Sequence, residues 1–271
     1  MDIAGKVVVV TGGANGIGRA LCERLAVRGA RHVAVADLDE ANARAVAESI
    51  GGSGYRTDVS REAEIVGLID AVEREHGPIG LFCSNAGVID VDPDLRNAGS
   101  AADAAWDRAW KVNVMAHVWA ARRLLPGMIE RREGWFLNTA SAAGLLMQVG
   151  AAVYTTTKHA ALGFAESLAV THRDDGIGVT ALCPQAVDTA MARSGNFAGA
   201  DVDGVLSPED VADAALDGVE AGRFLVLPHA SVAAYAQNKA ENHDRWIGGM
   251  AKFRRGVLPQ LAGSSLGQHT A

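Results

Sequence analysis

Tyr154 and Lys158 stand four residues apart in YTTTK, just ahead of the apolar run AALGFAESLAV. Ala161, Leu162, Ala165, Leu168 and Ala169 recur at helical spacing, so the segment reads as a helix. Residues one turn apart share a helix face, which sets a phenol beside an ammonium. A free phenol titrates near pH ~10 and is a poor base at neutrality. A neighbouring cation favours the phenolate and lowers that value, so the pair could take a proton from an alcohol or return one to a carbonyl. The plainer alternative is a surface pair, with Tyr154 half-buried and Lys158 solvated. Ser141, between Ala140 and Ala142, ends the run GWFLNTAS. Its hydroxyl either holds a substrate oxygen and stabilises charge developing there, or only caps a turn.

Such chemistry needs elements that bring these side chains together. KVVVVTG, HVAVAD, GYRTDV, IGLFCSNAG, GWFLNTAS, IGVTALCP and GRFLVLP read as strands. Helix-length patterns lie between them, the first stopped by Gly29. A long helical region covers about 104–130, with a kink expected at Pro126. Another helix covers 153–173, and one opens at Ser207 in SPED. Strand alternating with helix implies right-handed crossovers and a parallel sheet with helices on both faces. The nearly continuous apolar strands fit burial on both sides. No linker or repeat divides the chain, so the expectation is one α/β domain over residues 1–271. Two segments stand apart: 186–206, rich in Gly, Ala and Asp, and 229–271, whose end AGSSLGQHTA looks frayed.

TGGANGIG, residues 11–18, joins the first strand to the first helix. Glycines there let the backbone approach a pyrophosphate, and the helix N-terminus offers free N–H groups. The spacing of Gly12, Gly16 and Gly18 is TGxxxGxG rather than GxGxxG. A tight turn alone would also use such glycines. Asp37 ends the second strand, where a carboxylate can accept the ribose hydroxyls of an adenosine and would repel a 2′-phosphate. Leu38 and Asp39 follow it without a compensating arginine. This points to NAD over NADP. Asp39 is the better-placed cap for the next helix, which leaves Asp37 free for the ribose.

The chain has 271 residues, 49% hydrophobic and 21% charged, which suits a globular protein with a substantial core and excludes global disorder. A net charge of -7 and the lack of a dense basic run argue against nucleic-acid binding. Arg122, Arg123, Arg131 and Arg132 cluster among acidic residues and read as a solvated helix face. Cys22, Cys83 and Cys183 are far apart, without metal-site or disulfide spacing. No leader pattern or membrane-length apolar run is visible, so the expected location is cytoplasmic, away from membranes.

Taken in order, these motifs resemble those of the short-chain dehydrogenase/reductase family, over roughly residues 3–228. TGGANGIG resembles the family's cofactor turn, with Gly12, Asn15, Gly16, Ile17 and Gly18. Asp58 and Val59 match its adenine-contacting pair. Asn85, Ala86 and Gly87 match its NAG motif, and Asn113 in KVNVMA matches its helix-bending asparagine. Ser141, Tyr154 and Lys158 complete the pattern. The resemblance implies a doubly wound Rossmann-type domain with a seven-stranded parallel sheet. It implies hydride exchange between NAD and an alcohol or carbonyl, and a homo-oligomer, tetramer or dimer. Tyr154 would be the base or acid. Lys158 would tune it and hold the nicotinamide ribose. Asn113 would support a water and proton relay. Pro184, Val187 and Thr189 match the family's segment after the sixth strand, but Gln185 replaces a glycine. That side chain could narrow the pocket, bond a polar substrate, or point to solvent.

Segments after the fourth, fifth and sixth strands should line the substrate pocket. They supply Val88, Ile89, Leu145, Met147, Gln148, Val149, Ala186 and Met191. That wall is largely apolar, and it suits a medium-sized hydrophobic secondary alcohol or ketone, alicyclic, aromatic or steroidal. Gln148, Gln185 and Met191 join Ser141 as candidate substrate contacts. Residues 188–206 are expected to form a mobile lid. In ENHDRWIGGMAKF, Trp246, Ile247, Met250 and Phe253 are expected on one side. That helix could cover the pocket, dock on a neighbouring subunit, or pack on its own core. Two rival functions remain at this point: an NADPH-dependent carbonyl reductase, and a catalytically silent nucleotide sensor of the same fold.

Overall fold

The computed structural model describes residues 1–194 and 201–263. Seven parallel strands form one sheet in the order β3-β2-β1-β4-β5-β6-β7. They are β1 Val7–Thr11, β2 His32–Asp37, β3 Ser53–Arg56, β4 Ile79–Ser84, β5 Gly134–Thr139, β6 Ile177–Leu182 and β7 Leu225–Val226. The order reverses between β1 and β4, and the crevice at their carboxyl ends is where open α/β sheets bind ligands. The third run was expected to stay extended through Val59; it leaves the sheet after Arg56. The last strand is only two residues long.

Alternate side chains feed two cores, because successive strand residues point to opposite faces. Val7, Val9, Phe82, Phe136 and Val179 pack on one face, and Val8, Val10, Leu81, Leu137 and Leu182 on the other. Helices α3 Glu62–His76, α5 Ala116–Arg131 and α6 Ala152–His172 cover the first face; α1 Gly16–Val27, α2 Glu40–Ile50 and α8 Pro208–Glu220 cover the second. Asp39 caps α2 by accepting from Asn42 N, and Ser207 caps α8 by accepting from Asp210 N.

The long helical region is interrupted at Asn113, where the family resemblance places a bend. Helix α4, Asp103–Trp110, passes through a π turn at Lys111–Met115 into α5, which continues through Pro126. The cluster of arginines on α5 is less free than a solvated face. Arg122 pairs with Glu62 and Arg123 with Asp70, both on α3, while Arg131 donates to the Ile79 carbonyl.

Helix α7, Ala190–Ser194, begins the segment expected to be a lid; its residues 195–200 lie outside the described ones. Both ends of that segment are tied together, with Val187 bridged to Leu206 and Asp188 N donating to the Leu206 carbonyl at 2.9 Å. Helices α9, Ser231–Glu241, and α10, His243–Gly263, follow β7. Residues 264–271, most of the end expected to fray, also lie outside the described residues. Among the described residues no helix is long and apolar enough to cross a membrane.

Candidate active site

The β1–α1 turn is closed tightly enough that its glycines cannot be replaced freely. Gly12 and Gly16 have φ of 64° and 52°, a region that suits glycine. A Cβ on Gly12 would lie 2.8 Å from Ala86 Cα, and one on Gly18 would lie 1.9 Å from the Gly12 carbonyl oxygen. Asn85 staples the turn from β4: its amide donates to the Thr11 and Gly12 carbonyls at 3.2 and 3.3 Å, and its oxygen accepts from Thr139. Asn85 therefore has a structural role at this turn. Asp37 Oδ2 accepts from Ala14 N and Oδ1 from Asp39 N, each at 3.0 Å. Each oxygen keeps a lone pair, so the carboxylate is held in place with acceptor capacity to spare. Asp58 accepts from the Ser60 hydroxyl at 2.6 Å, and that bond holds its carboxyl below the usual range.

One cavity of about 1340 Å³ runs from this turn to the far helices. Asp37, Asp58, Val59 and the β1–α1 turn line one end, and Tyr154, Lys158 and Ser141 line the middle. Asn15, Ile17, Ala86, Gly87, Pro184, Val187 and Thr189 also reach it, as do Gln148, Gln185 and Met191. Two expected site residues do not. Gly18 is buried beneath the turn, where the absent Cβ makes room for the Gly12 carbonyl. Asn113 is fully buried behind Gly87. Its Oδ1 accepts from Val88 N at 2.9 Å, and its amide donates to the Val88 carbonyl and to Thr157 Oγ1. It thus ties the π turn to the strand-end loop and to α6.

Tyr154 and Lys158 enter on the first turns of α6, and Ser141 at the end of β5. Ser141 Oγ caps a short 3-10 turn, Ala142–Gly144, by accepting from Ala143 N at 3.1 Å, it donates to the Pro184 carbonyl at 3.4 Å, and it is near enough to the Tyr154 hydroxyl to affect its titration. The turn-capping reading of this serine is seen, and its hydroxyl also lines the cavity. Lys158 is 3% exposed; its ammonium donates to the Thr139 carbonyl at 2.9 Å and lies 5.6 Å from the centre of the Tyr154 ring. Burial lowers its pKa to about 8, opposed by the field of Cys183. The surface-pair alternative is excluded for Lys158.

The expected lowering of the tyrosine by the lysine is not what this cofactor-free geometry produces. Burial pushes the Tyr154 phenol above its usual value; the Ser141 hydroxyl opposes this, and Cys183 adds a small rise. The ammonium sits over the ring rather than at the hydroxyl, so desolvation wins.

At the other end, α9 and α10 wall the cavity with Tyr235, Arg245, Trp246, Met250 and Phe253. Trp246, Met250 and Phe253 face inward with Val257, whereas Ile247 is 52% exposed and leaves the expected apolar side. A seam of Val149, Val257, Leu95, Met250 and Phe253 seals α10 against the loops after β4 and β5. Lys239 clamps α9 by donating to the Leu145 carbonyl at 2.7 Å, and its ammonium lies 4.8 Å from the Trp246 ring centre. Leu145 itself turns into the main core and does not line the cavity, contrary to expectation. Gln185 faces the cavity, not solvent; its backbone N–H is held by His229 Nδ1 at 3.2 Å, and His229 Nε2 donates to the Ala186 carbonyl at 3.0 Å. Helix α10 covers the cavity, one of the alternatives weighed, with Met250 and Phe253 on its inner side as expected; His229 and Lys239 were not foreseen. Their sequence signals are single polar residues whose partners lie elsewhere in the chain. Among the described residues, no group of three or more His, Cys, Asp or Glu is placed to hold a metal ion.

This fold and site define a class of protein, and comparison with known proteins agrees. The short chain dehydrogenase family model matches residues 6–197, and the chain belongs to that oxidoreductase family. It is 36% identical over 191 residues to the sex determination protein tasselseed-2 of Zea mays, a match covering 69% of this chain and 56% of that protein. The 1-deoxy-11-beta-hydroxypentalenate dehydrogenase of Streptomyces exfoliatus is 34% identical over 244 residues, covering 85% of each. A crystal structure of a short chain dehydrogenase/reductase from Burkholderia phymatum in complex with NAD superposes with a TM-score of 0.78. It is 30% identical, and the match covers 90% of this chain and 96% of that one.

Proposed function

We propose that this chain is an NAD(H)-dependent dehydrogenase/reductase that interconverts a medium-sized, mainly hydrophobic secondary alcohol and its ketone. The observation that carries this is the convergence of Tyr154, Ser141 and Lys158 on the cavity that Asp37 enters at its far end. The residues present fit a dinucleotide. The β1–α1 turn leaves no room for extra Cβ atoms but exposes backbone to the crevice, and the anchored Asp37 carboxylate retains acceptors for a ribose diol. The same carboxylate opposes a 2′-phosphate by charge, which favours NAD over NADP. The Burkholderia phymatum neighbour is in complex with NAD, which supports the choice.

When bound, the nicotinamide supplies a hydride acceptor or donor. In alcohol oxidation Ser141 Oγ would hold the substrate oxygen and Tyr154, as the phenolate that Lys158 and a bound, positively charged nicotinamide would favour, would take its proton at Oη; in reduction the Tyr154 phenol would donate that proton. Lys158, held by Thr139, keeps a positive charge near the phenol and has donors left for ribose hydroxyls. Asn113 holds the π turn that fixes the loop under Gly87. Trp246, Phe253, Met250, Met147 and Val149 make the far wall apolar, with Gln148 and Gln185 as amides. That surface suits an alicyclic or aromatic substrate, in keeping with the name of the Streptomyces relative.

The test is reduced-nicotinamide absorbance with NAD⁺ or NADP⁺ and a panel of cyclic and aryl secondary alcohols, with Tyr154→Phe alongside. Turnover with NAD⁺ that falls by about 10²–10⁴ in the mutant is expected. Turnover with NADP⁺ alone would overturn the role of Asp37. Tight NADH binding without turnover on any alcohol would favour a sensor.

A further inference from the structure

His117 is a polar residue in a place built for apolar ones. It lies on the first turn of α5, 2% exposed, and among the described residues neither ring nitrogen makes a hydrogen bond of ordinary geometry, although the Asn138 amide is near. Buried polar groups almost always find a partner, in protein or in ordered water. Ser84 Oγ and Asn138 Nδ2 are likewise buried and unpaired among the described residues. Ser84 and Asn138 are aligned across β4 and β5, and each follows a core phenylalanine, Phe82 or Phe136, by two residues. Their side chains therefore share the sheet face that α5 covers. The ring lies near enough to the Asn138 amide and the Lys158 ammonium to be affected by both.

Lys158 shows the complementary shortfall. A buried ammonium has three donors, and its one acceptor among the described residues is the Thr139 carbonyl. Spare donors at Lys158 and Asn138 thus lie among spare acceptors at His117 and Ser84. A buried water typically makes about three hydrogen bonds to groups of this kind.

We propose that His117, Ser84 and Asn138 hold a buried water site behind Lys158, through which His117 positions the lysine ammonium and keeps it charged inside the core. His117 is a positioning residue, since it touches neither the cofactor crevice nor the substrate cavity. Burial, and then Lys158, push its imidazole down to about 4, with Asn138 opposing, so the ring is a neutral acceptor at working pH. From β4 and β5 it meets the uncharged Ser84 and Asn138, and from α6 the charged Lys158. On the far side of Lys158, Cys183 is the titratable group that favours the ammonium. The proposal rests on the role given to Lys158 above.

The experiment titrates the cofactor-free protein by NMR of ¹³Cε-labelled lysine, with the Lys158 signal assigned by its loss in Lys158→Arg. Wild-type Lys158 should titrate near about 8. His117→Leu removes the acceptor and should lower that midpoint by about one unit, a tenfold loss of proton affinity. His117→Gln keeps an acceptor and should stay within roughly a third of a unit of wild type. Ser84→Ala, a smaller change, should move the midpoint in the same direction as leucine and serves if His117→Leu does not fold. Equal midpoints in all variants would overturn the proposal, as would a glutamine shift as large as that of leucine. The titration needs no substrate. Silence on the alcohol panel with the shifts intact would count against the dehydrogenase function and leave this inference standing.

Discussion

The two ends of the cavity are built in different ways. At the end assigned to the nucleotide, short strand-to-helix turns do the work through backbone atoms: Asn85 binds the Thr11 and Gly12 carbonyls, and Asp37 is held by two backbone N–H groups. At the substrate end, side chains from late helices reach back across the chain. Lys239 donates to the Leu145 carbonyl 94 positions away, and Arg254 to the Leu95 carbonyl 159 away. The first end has no slack, since a single added Cβ would collide with backbone. The second end is closed by packing and a few long polar arms, which can change without breaking the sheet. One fold can thus keep its cofactor chemistry while its substrate wall varies.

The difference should show most in Gly18→Ala. Its new Cβ would lie 1.9 Å from the Gly12 carbonyl oxygen, and backbone cannot swing away as a side chain can. Overpacking of this kind costs about 1–3 kcal/mol, and here the turn itself must shift. NADH binding measured by fluorescence should be lost, with a lowered melting temperature. A variant that melts and binds like wild type would show that the turn is more compliant than its geometry indicates.

Asp37→Ala probes the same end through charge alone. Losing charge-assisted bonds to a ribose diol should weaken NADH binding about tenfold or more. NADPH binding should strengthen at the same time, because the repulsion disappears. The paired change in Kd is the readout; weakening toward both cofactors would instead assign Asp37 a purely structural role at Ala14 and Asp39.

How much was legible in the sequence follows the same division. The glycine turn, Asp39 as the α2 cap and Ser207 as the α8 start all depend on near neighbours, and all are where expected. Tyr154, Ser141 and Lys158 come together because α6 starts beside the end of β5, in one strand-to-helix unit. Errors arose where long-range packing decides. The bend at Asn113 was marked by the family resemblance, but its side-chain bonds to Val88 and Thr157 were not. Leu145 looked like pocket lining but is drawn into the core, while its carbonyl serves Lys239. The pKa of Tyr154 depends on desolvation, which a one-turn spacing cannot report. His117 left a trace, an imidazole on the same helix face as the buried Ala120 and Ala121, but its partners are spread over two strands and another helix.

Lys239→Met should give the smallest effect and the sharpest contrast. The substitution keeps the apolar stem and removes the ammonium that holds the Leu145 and Leu146 carbonyls and lies over Trp246. Partly exposed hydrogen bonds of this kind contribute about 1 kcal/mol net. Helix α9 also stays attached through Tyr235, which donates to Asp203, and α10 through the Val149–Val257 seam. The wall should therefore loosen rather than open. We expect KM for the best alcohol to rise roughly fivefold, with kcat and NADH affinity nearly unchanged, because uniform binding is lost and the reacting groups stay in place. A matching fall in kcat would mean that the α9–α10 wall presses the substrate toward Tyr154 and Ser141. The two ends of the cavity would then be coupled, and the substrate wall would be part of the catalytic geometry.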